Sequence, residues 1–158
     1  MTTIAYKDGV IAYDSRTTTG LLVNSDTTNK RHVVDGVSFF IAGAICDQAR
    51  LITAYFGTDV GTHVGCRALA VDAGVVYECA VADDDGFWRH PLEPGEPMAI
   101  GSGAHFAFGA MDAGASAAEA VKIASDGRVY FISTSGPAVF SGTLDLLEPE
   151  DRRWVRVL

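Results

Sequence analysis

Short apolar segments separated by glycine-containing turns run through most of the chain and restrict the folds available to it. Asp-Gly pairs at 8–9 and 35–36 each lie between two such segments, and this pair tolerates the positive φ angles of a tight hairpin. Seventeen glycines in 158 residues predict many short elements and exclude a long helical bundle. The pattern predicts strands over 2–6, 10–14, 21–23, 37–42, 67–72, 75–82, 87–90 and 128–132, with one or two more within 138–147.

Three segments show helical spacing instead. Residues 47–56 form an apolar helical pattern that Gly57 ends, and Gly101-Ser102-Gly103 precedes a very apolar run. Ser116 and Glu119 fit a capping box and predict the start of a third helix. The predicted buried face of that helix is Ala117, Ala120, Val121 and Ala124. Helices segregated from antiparallel hairpins indicate the α+β class, and we predict a single domain over 1–158.

Composition excludes several classes of partner. Lys and Arg total 12 against 20 Asp and Glu, so the net charge of −8 argues against nucleic-acid binding. The longest apolar stretch, 37–46, is half of the roughly 20 residues that a membrane helix needs. The three cysteines form no CxxC pair, so neither a disulfide framework nor a zinc site is indicated. We expect no metal, no cofactor, no membrane partner, no secretory signal and a cytoplasmic location.

Thr2 is the candidate nucleophile. It follows the initiator Met1, and a small second residue permits removal of that methionine. An N-terminal threonine can attack a carbonyl because its own α-amine, with a reference pKa of about 7.7–8.0, can act as the base. The hydroxyl also needs a nearby cation and an oxyanion hole.

Five further features follow Thr2 in a fixed order. They are an Asp that ends the first hairpin, a Thr-rich segment, a Lys sixteen residues beyond that Asp, a Gly that ends an apolar strand, and a Gly-Ser-Gly helix start. In this chain they are Asp14, 17–20, Lys30, Gly43 and 101–103. Taken together over 2–132, this order resembles proteasome β subunits and their bacterial HslV relatives. The order and the Asp-to-Lys spacing carry the resemblance, since no single motif is specific.

The resemblance implies an N-terminal nucleophile (Ntn) hydrolase with an αββα sandwich of two stacked antiparallel sheets flanked by helices. One helix layer is expected to be reduced, because 58–65 is too short and glycine-rich for the second helix that the family has there. The implied partners are further copies of the chain in a ring and a peptide or unfolded-protein substrate. An ATPase partner is left open.

The resemblance also implies a role for each of six residues. Thr2 would supply the nucleophilic hydroxyl and the basic amine, Lys30 would lower the pKa of that hydroxyl, and Asp14 would orient Lys30. The Gly43 amide would form the oxyanion hole. The two supporting hydroxyls would be those of Ser102 and Ser125.

Each of these residues also has a plain structural interpretation. Asp14 and Lys30 form an ordinary ion pair in that interpretation, Gly43 permits close packing, and Ser102 and Ser125 belong to helix ends. The same family usually carries an Asp where this chain has Lys122, three residues before Ser125, and a lysine cannot accept a hydrogen bond.

Three functions therefore stay open at this point. They are a peptidase, a catalytically inactive protein of the same fold with a structural or assembly role, and an amidohydrolase for a small molecule. Peptidase activity requires removal of Met1, because a peptide-bonded Thr2 nitrogen is not a base.

Overall fold

The computed structural model describes residues 2–93, 95–125 and 128–134, and the backbone of 141–144. The residues cluster into two compact units, 1–29 with 94–158 and 30–93. Each unit has a five-stranded sheet whose neighbouring strands are antiparallel. The predicted α+β class is confirmed, and the single domain over 1–158 stays a prediction.

The elements follow one another in the predicted order. The strands are β1 (Ile4–Lys7), β2 (Val10–Asp14), β3 (Thr17–Thr19), β4 (Leu22–Ser25), β5 (Arg31–Val34), β6 (Val37–Gly43), β7 (Cys66–Asp72), β8 (Val75–Ala82), β9 (Gly86–Pro91), β10 (Met98–Ile100), β11 (Val129–Ser133) and β12 (Ser141–Leu144). The α-helices are α1 (Gln48–Tyr55), α2 (Ala104–Asp112) and α3 (Ala117–Ala124).

The first unit is a sheet in the order β10-β1-β2-β11-β12. Asp8 and Gly9 have φ angles of 50° and 75°, as predicted for a tight turn between β1 and β2. Small residues on one sheet face pack against α2 and α3 in a core that includes Ala5, Ala12 and Ala107. Small side chains let the helices lie close to the strands.

The predicted capping box and buried face of α3 are confirmed. Ser116 Oγ accepts the Glu119 N–H at 3.3 Å, and the Glu119 carboxylate accepts the Ser116 N–H at 2.9 Å. All four predicted core residues of this helix are buried.

The turn that precedes α3 is held by Lys7, whose ammonium donates to the Met111 and Ala115 carbonyls at 2.9 and 3.0 Å.

Strands β3 and β4 form a separate two-stranded ribbon. Its base is held by an Arg16–Asp26 ion pair at 2.7 Å. Its tip carries three exposed apolar residues in succession, and Leu21 is fully exposed. The short strand predicted over 21–23 begins one residue later, at Leu22, because the turn between the two strands includes Gly20 and Leu21.

The second unit is a sheet in the order β5-β6-β7-β8-β9, with α1 packed on one face. The predicted helix is present, but its core contacts come from Leu51, Ala54 and Tyr55. The last residue of the predicted pattern, Phe56, lies outside α1 and is exposed. Residues 58–65 contain no helix, as predicted.

Some predictions fall partly outside the described residues. Strand β12 accounts for part of the strand content predicted within 138–147, and the rest of that segment is not described. In the described part of the chain, no helix is both long enough and apolar enough to span a membrane.

Candidate active site

The Gly-Ser-Gly segment holds Thr2 by its backbone. The Thr2 N–H donates to Ser102 Oγ at 3.0 Å, and the Gly103 N–H donates to the Thr2 carbonyl at 3.2 Å. Gly101 has a φ of +95°, a conformation that favours glycine, and this bend leads the chain into the Ser102 turn before α2. The nitrogen of the candidate nucleophile therefore has a hydroxyl partner from a residue 100 positions away.

Asp14 holds the next residue, Thr3. The Thr3 N–H donates to Asp14 Oδ1 at 2.6 Å, and the Asp14 N–H donates to the Thr3 carbonyl at 3.1 Å. Asp14 Oδ2 accepts the Arg16 N–H at 3.1 Å. Both Asp14 and Thr3 are completely buried. Strand β1 begins only at Ile4, two residues later than predicted, because Thr2 and Thr3 bond to Gly103 and to the Asp14 side chain.

The Thr3 side chain lies directly over Gly103. A Cβ at Gly103 would overlap Thr3 Oγ1 and lie 3.2 Å from the Ala124 carbonyl oxygen. Thr3 Oγ1 is buried and has no hydrogen-bond partner among the described residues. The sequence did not single out Thr3, and the only signal for it was its place beside Thr2.

Ser125 is buried at the C-terminal end of α3. Its Oγ donates to the Val121 carbonyl at 2.9 Å, one turn back in the same helix. Lys122 lies in the last turn of this helix, where a cation is favourable to the helix dipole. The contact described for Ser125 thus agrees with its plain interpretation as a helix-end residue.

In the second unit, Lys30 directly precedes β5 and Gly43 ends β6. Lys30 is buried, and its carbonyl accepts the Ile41 N–H at 3.3 Å. The role of Lys30, including its pairing with Asp14, stays a prediction.

The strand registers fix the direction of the Gly43 amide. The Ala44 N–H donates to the Gly65 carbonyl at 2.9 Å. Hydrogen-bonded pairs alternate along an antiparallel ladder, so the even-numbered residues of β6 bond to β7 and Gly43 does not. The Ile41 N–H donates to the Lys30 carbonyl on the opposite side of β6. If the register between β5 and β6 continued, Gly43 would lie opposite residue 28, which precedes β5. Within 30–93, no strand residue therefore pairs with the Gly43 N–H on that side.

Glycine is required at position 43 for two reasons. Its φ is +119°, which is unfavourable for any residue with a side chain. A Cβ there would also overlap the Gly65 carbonyl oxygen and lie 2.7 Å from the Cys66 Cα. Gly43 itself is exposed.

Asp47 and Arg50 form a polar cluster beside Gly43 that the sequence did not predict. The Gly65 amide and the Arg50 guanidinium hold the pKa of Asp47 below its ordinary value. The guanidinium also donates to three carbonyls of the 58–65 loop. The available signal was an Asp–Arg pair at i, i+3 followed by a glycine-rich loop.

The six predicted site residues divide between the units. Four of them belong to the first unit, namely Thr2, Asp14, Ser102 and Ser125. The other two, Lys30 and Gly43, belong to the second. A hydrogen bond joins Thr2 directly to Ser102. Asp14 is joined to Thr2 only through Thr3, the next residue in the chain, whose N–H bonds to the Asp14 carboxylate. In the parts of the chain that are described, no cluster of three or more His, Cys, Asp or Glu residues could hold a metal ion.

Comparison with known proteins identifies the fold. No protein-family model and no curated protein sequence matches the chain. Among solved structures, HslV from Trypanosoma brucei matches with a TM-score of 0.58 and 19% identity, over 84% of this chain and 98% of that one.

Two structures of BPH from Thiobacillus denitrificans also match. One has a TM-score of 0.58 at 19% identity over 87% of this chain and 99% of that one. The other, in complex with epoxomicin, has a TM-score of 0.55 at 16% identity over 85% and 99%. The chain therefore has the HslV/proteasome-like fold, as the sequence resemblance implied.

Proposed function

We propose that this protein is a threonine peptidase whose nucleophile is Thr2, exposed by removal of Met1. The observation that carries the proposal is the hydrogen bond from the Thr2 nitrogen to Ser102 Oγ, at 3.0 Å. It fixes the nitrogen that would become the catalytic base, and the Gly103 amide fixes the carbonyl of the same residue. The fold shared with HslV supports a peptidase role.

The reaction is acyl transfer followed by hydrolysis. The Thr2 α-amine takes the proton from Thr2 Oγ as the oxygen attacks the peptide carbonyl, and the Gly43 N–H stabilises the developing oxyanion. The amine then gives the proton to the leaving nitrogen, so the C–N bond breaks and an ester remains on Thr2. Water, activated by the same amine, hydrolyses the ester and regenerates the hydroxyl.

The remaining residues have supporting roles in this proposal. The Lys30 ammonium favours the ionised hydroxyl of Thr2 by its charge, and Asp14 keeps Lys30 oriented. Ser102 orients the amine, and Ser125 supports the α3 end beside Gly103. The burial of Asp14 and Lys30 supports these assignments, because buried charges are normally paired.

We also propose that the chain is a cytoplasmic homo-oligomer that encloses its active sites in a ring and acts on peptides or unfolded protein. The exposed ribbon tip supports self-association, because Leu21, Leu22 and Val23 are adjacent and all exposed. Native mass spectrometry of the wild type and of Leu21→Ser tests this part. A monomeric wild type would contradict it.

Two observations favour a catalytically inactive alternative. Ser125 donates to its own helix, and Lys122 occupies the position where the resembled family has an Asp. A protein that kept the fold for assembly would need no acceptor there.

The test of the peptidase is intact mass before and after exposure to epoxomicin, the compound bound in one of the structural neighbours. We expect the protein from its natural host to lack Met1 and to gain one adduct per chain. The Thr2→Ala variant should gain none, whereas Thr58→Ala, an exposed threonine of the 58–65 loop, should react like the wild type. Retained Met1 with no adduct and no peptide hydrolysis would favour the inactive alternative.

A further inference from the structure

A single guanidinium group holds the 58–65 loop of the second unit. Arg50 Nη2 donates to the Val60 carbonyl at 2.7 Å and to the Thr62 carbonyl at 2.9 Å. Nη1 donates to the His63 carbonyl at 3.4 Å and to Asp47 Oδ1 at 2.9 Å. Guanidinium suits this arrangement because its donors form a rigid planar fork. One side chain therefore fixes three carbonyls of a loop that has no regular structure.

Asp47 connects this arrangement to the end of β6. Its Oδ2 accepts the Gly65 N–H at 2.8 Å, and the Gly65 carbonyl accepts the Ala44 N–H at 2.9 Å. Ala44 directly follows Gly43. A continuous series of hydrogen bonds thus runs from the Arg50 guanidinium through Asp47 and Gly65 to the residue next to the candidate oxyanion donor.

The Asp47 carboxylate bonds to the 58–65 loop and to the Arg50 side chain, and not to the backbone amides of α1. Asp47 directly precedes α1, at the end of a 3₁₀ turn over Ile45–Asp47, where an aspartate can accept a free amide of the first helical turn. Here its carboxylate makes no such bond. Both of its oxygens are used by Gly65 and Arg50 instead, which leaves α1 without a side-chain cap.

We propose that Asp47 and Arg50 are positioning residues that hold the Gly43 amide in the direction needed for oxyanion stabilisation. The proposal rests on the peptidase function proposed above. Because an oxyanion donor acts only when it is aligned, loosening the pair should lower turnover more than substrate binding.

The test combines a structural and a kinetic measurement on the full chain. In Arg50→Ala, we expect the Ala44 and Gly65 amides to exchange with deuterium about 10-fold faster or more. We expect kcat for a peptide substrate to fall about 10-fold or more with KM within about 2-fold, because misalignment affects the transition state selectively. Arg50→Lys keeps the charge without the planar fork and should give an intermediate loss, which covers the case in which Arg50→Ala does not fold.

Arg67→Ala is the matched control. Arg67 of β7 pairs with Glu78 of β8 at the same N–O distance of 2.9 Å, its side chain is more exposed than that of Arg50, and it has no described bond to the loop. We expect both measurements to be unchanged in this variant.

The outcomes separate the two proposals. Unchanged exchange at Ala44 and Gly65 in both Arg50 variants overturns the positioning role whatever the activity. Faster exchange with wild-type kcat also overturns it, because the Gly43 amide then needs no such support. A wild type that neither hydrolyses peptides nor reacts with epoxomicin refutes the peptidase, and the positioning role with it.

Discussion

Thr3 and Gly103 are packed so closely that a side chain at position 103 would overlap Thr3. The Thr3 side chain is completely buried, and a Cβ on Gly103 would overlap its Oγ1. The Gly103 amide meanwhile donates to the carbonyl of Thr2. The close approach of Thr3 to the Gly-Ser-Gly turn therefore requires glycine at position 103.

This contact predicts that Gly103→Ala destabilises the protein by about 1–3 kcal/mol through overpacking. Removing the obstructing hydroxyl in Thr3→Ala/Gly103→Ala should recover part of that loss. Urea unfolding of the two single variants and the double variant measures the coupling, which we expect to be about 0.5–3 kcal/mol.

Gly109 supplies the control for this prediction. It lies within α2, and a Cβ there would meet no atom within 4 Å. Gly109→Ala should therefore stabilise the protein by about 0.5–1 kcal/mol through helix propensity. Additive effects of the Thr3 and Gly103 substitutions would show that the two residues do not press on each other.

The capping box of α3 predicts the effect of a second substitution. Ser116→Ala removes the acceptor for the Glu119 N–H and should lower the free energy of unfolding by about 1 kcal/mol. Ser116→Asp retains a side-chain acceptor and should restore most of the loss. Equal stabilities for the Ala and Asp variants in thermal unfolding would mean that the cap contributes nothing.

The lowered pKa of Asp47 predicts that this residue makes a pH-dependent contribution to stability. The Gly65 N–H and the Arg50 guanidinium lower the pKa of this carboxyl in the folded state. Its contribution is therefore present above the unfolded-state pKa of about 3.9 and is lost as the pH falls through the lower folded-state value. The urea midpoint of the wild type should exceed that of Asp47→Asn at pH 7, and the gap should close towards pH 2–3. A gap that does not change with pH would refute this assignment.

The three cysteines should differ in reactivity. Burial raises the pKa of Cys66 to about 11 and that of Cys79 to about 12, whereas Cys46 is exposed. Because the thiolate is the reactive form, one thiol should react rapidly with a disulfide reagent at pH 8 in the native protein, and all three in denaturant. Cys46→Ser should abolish the rapid phase. A rapidly reacting thiol in that variant would contradict the burial of Cys66 and Cys79.

Local signals in the sequence were sufficient for most of the elements. The Asp8-Gly9 and Asp35-Gly36 turns form where predicted because their backbone needs positive φ angles, which these residues adopt at low cost. The Ser116 capping box likewise depends on residues three positions apart. The buried face of α1 was not predictable in this way, because Leu51 and Tyr55 were selected by packing against a sheet distant in sequence.

The candidate site was predictable mainly through the resemblance. No local pattern relates Thr2 to Ser102 across 100 residues, and only the order of motifs placed them in one site. The bonds from Arg50 to the 58–65 loop were missed because their acceptors are backbone carbonyls of Val60, Thr62 and His63. Such acceptors leave no trace in residue identity, since every residue has a carbonyl.

The bond between the Thr2 nitrogen and Ser102 Oγ has a consequence for maturation. A serine hydroxyl can accept a hydrogen bond from a peptide N–H or from an ammonium group, and it can donate one to a neutral amine. The same partner therefore suits the nitrogen before and after cleavage of the Met1–Thr2 bond. Conversion of a precursor to the active form would change the chemistry of this nitrogen while its place in the protein stays the same.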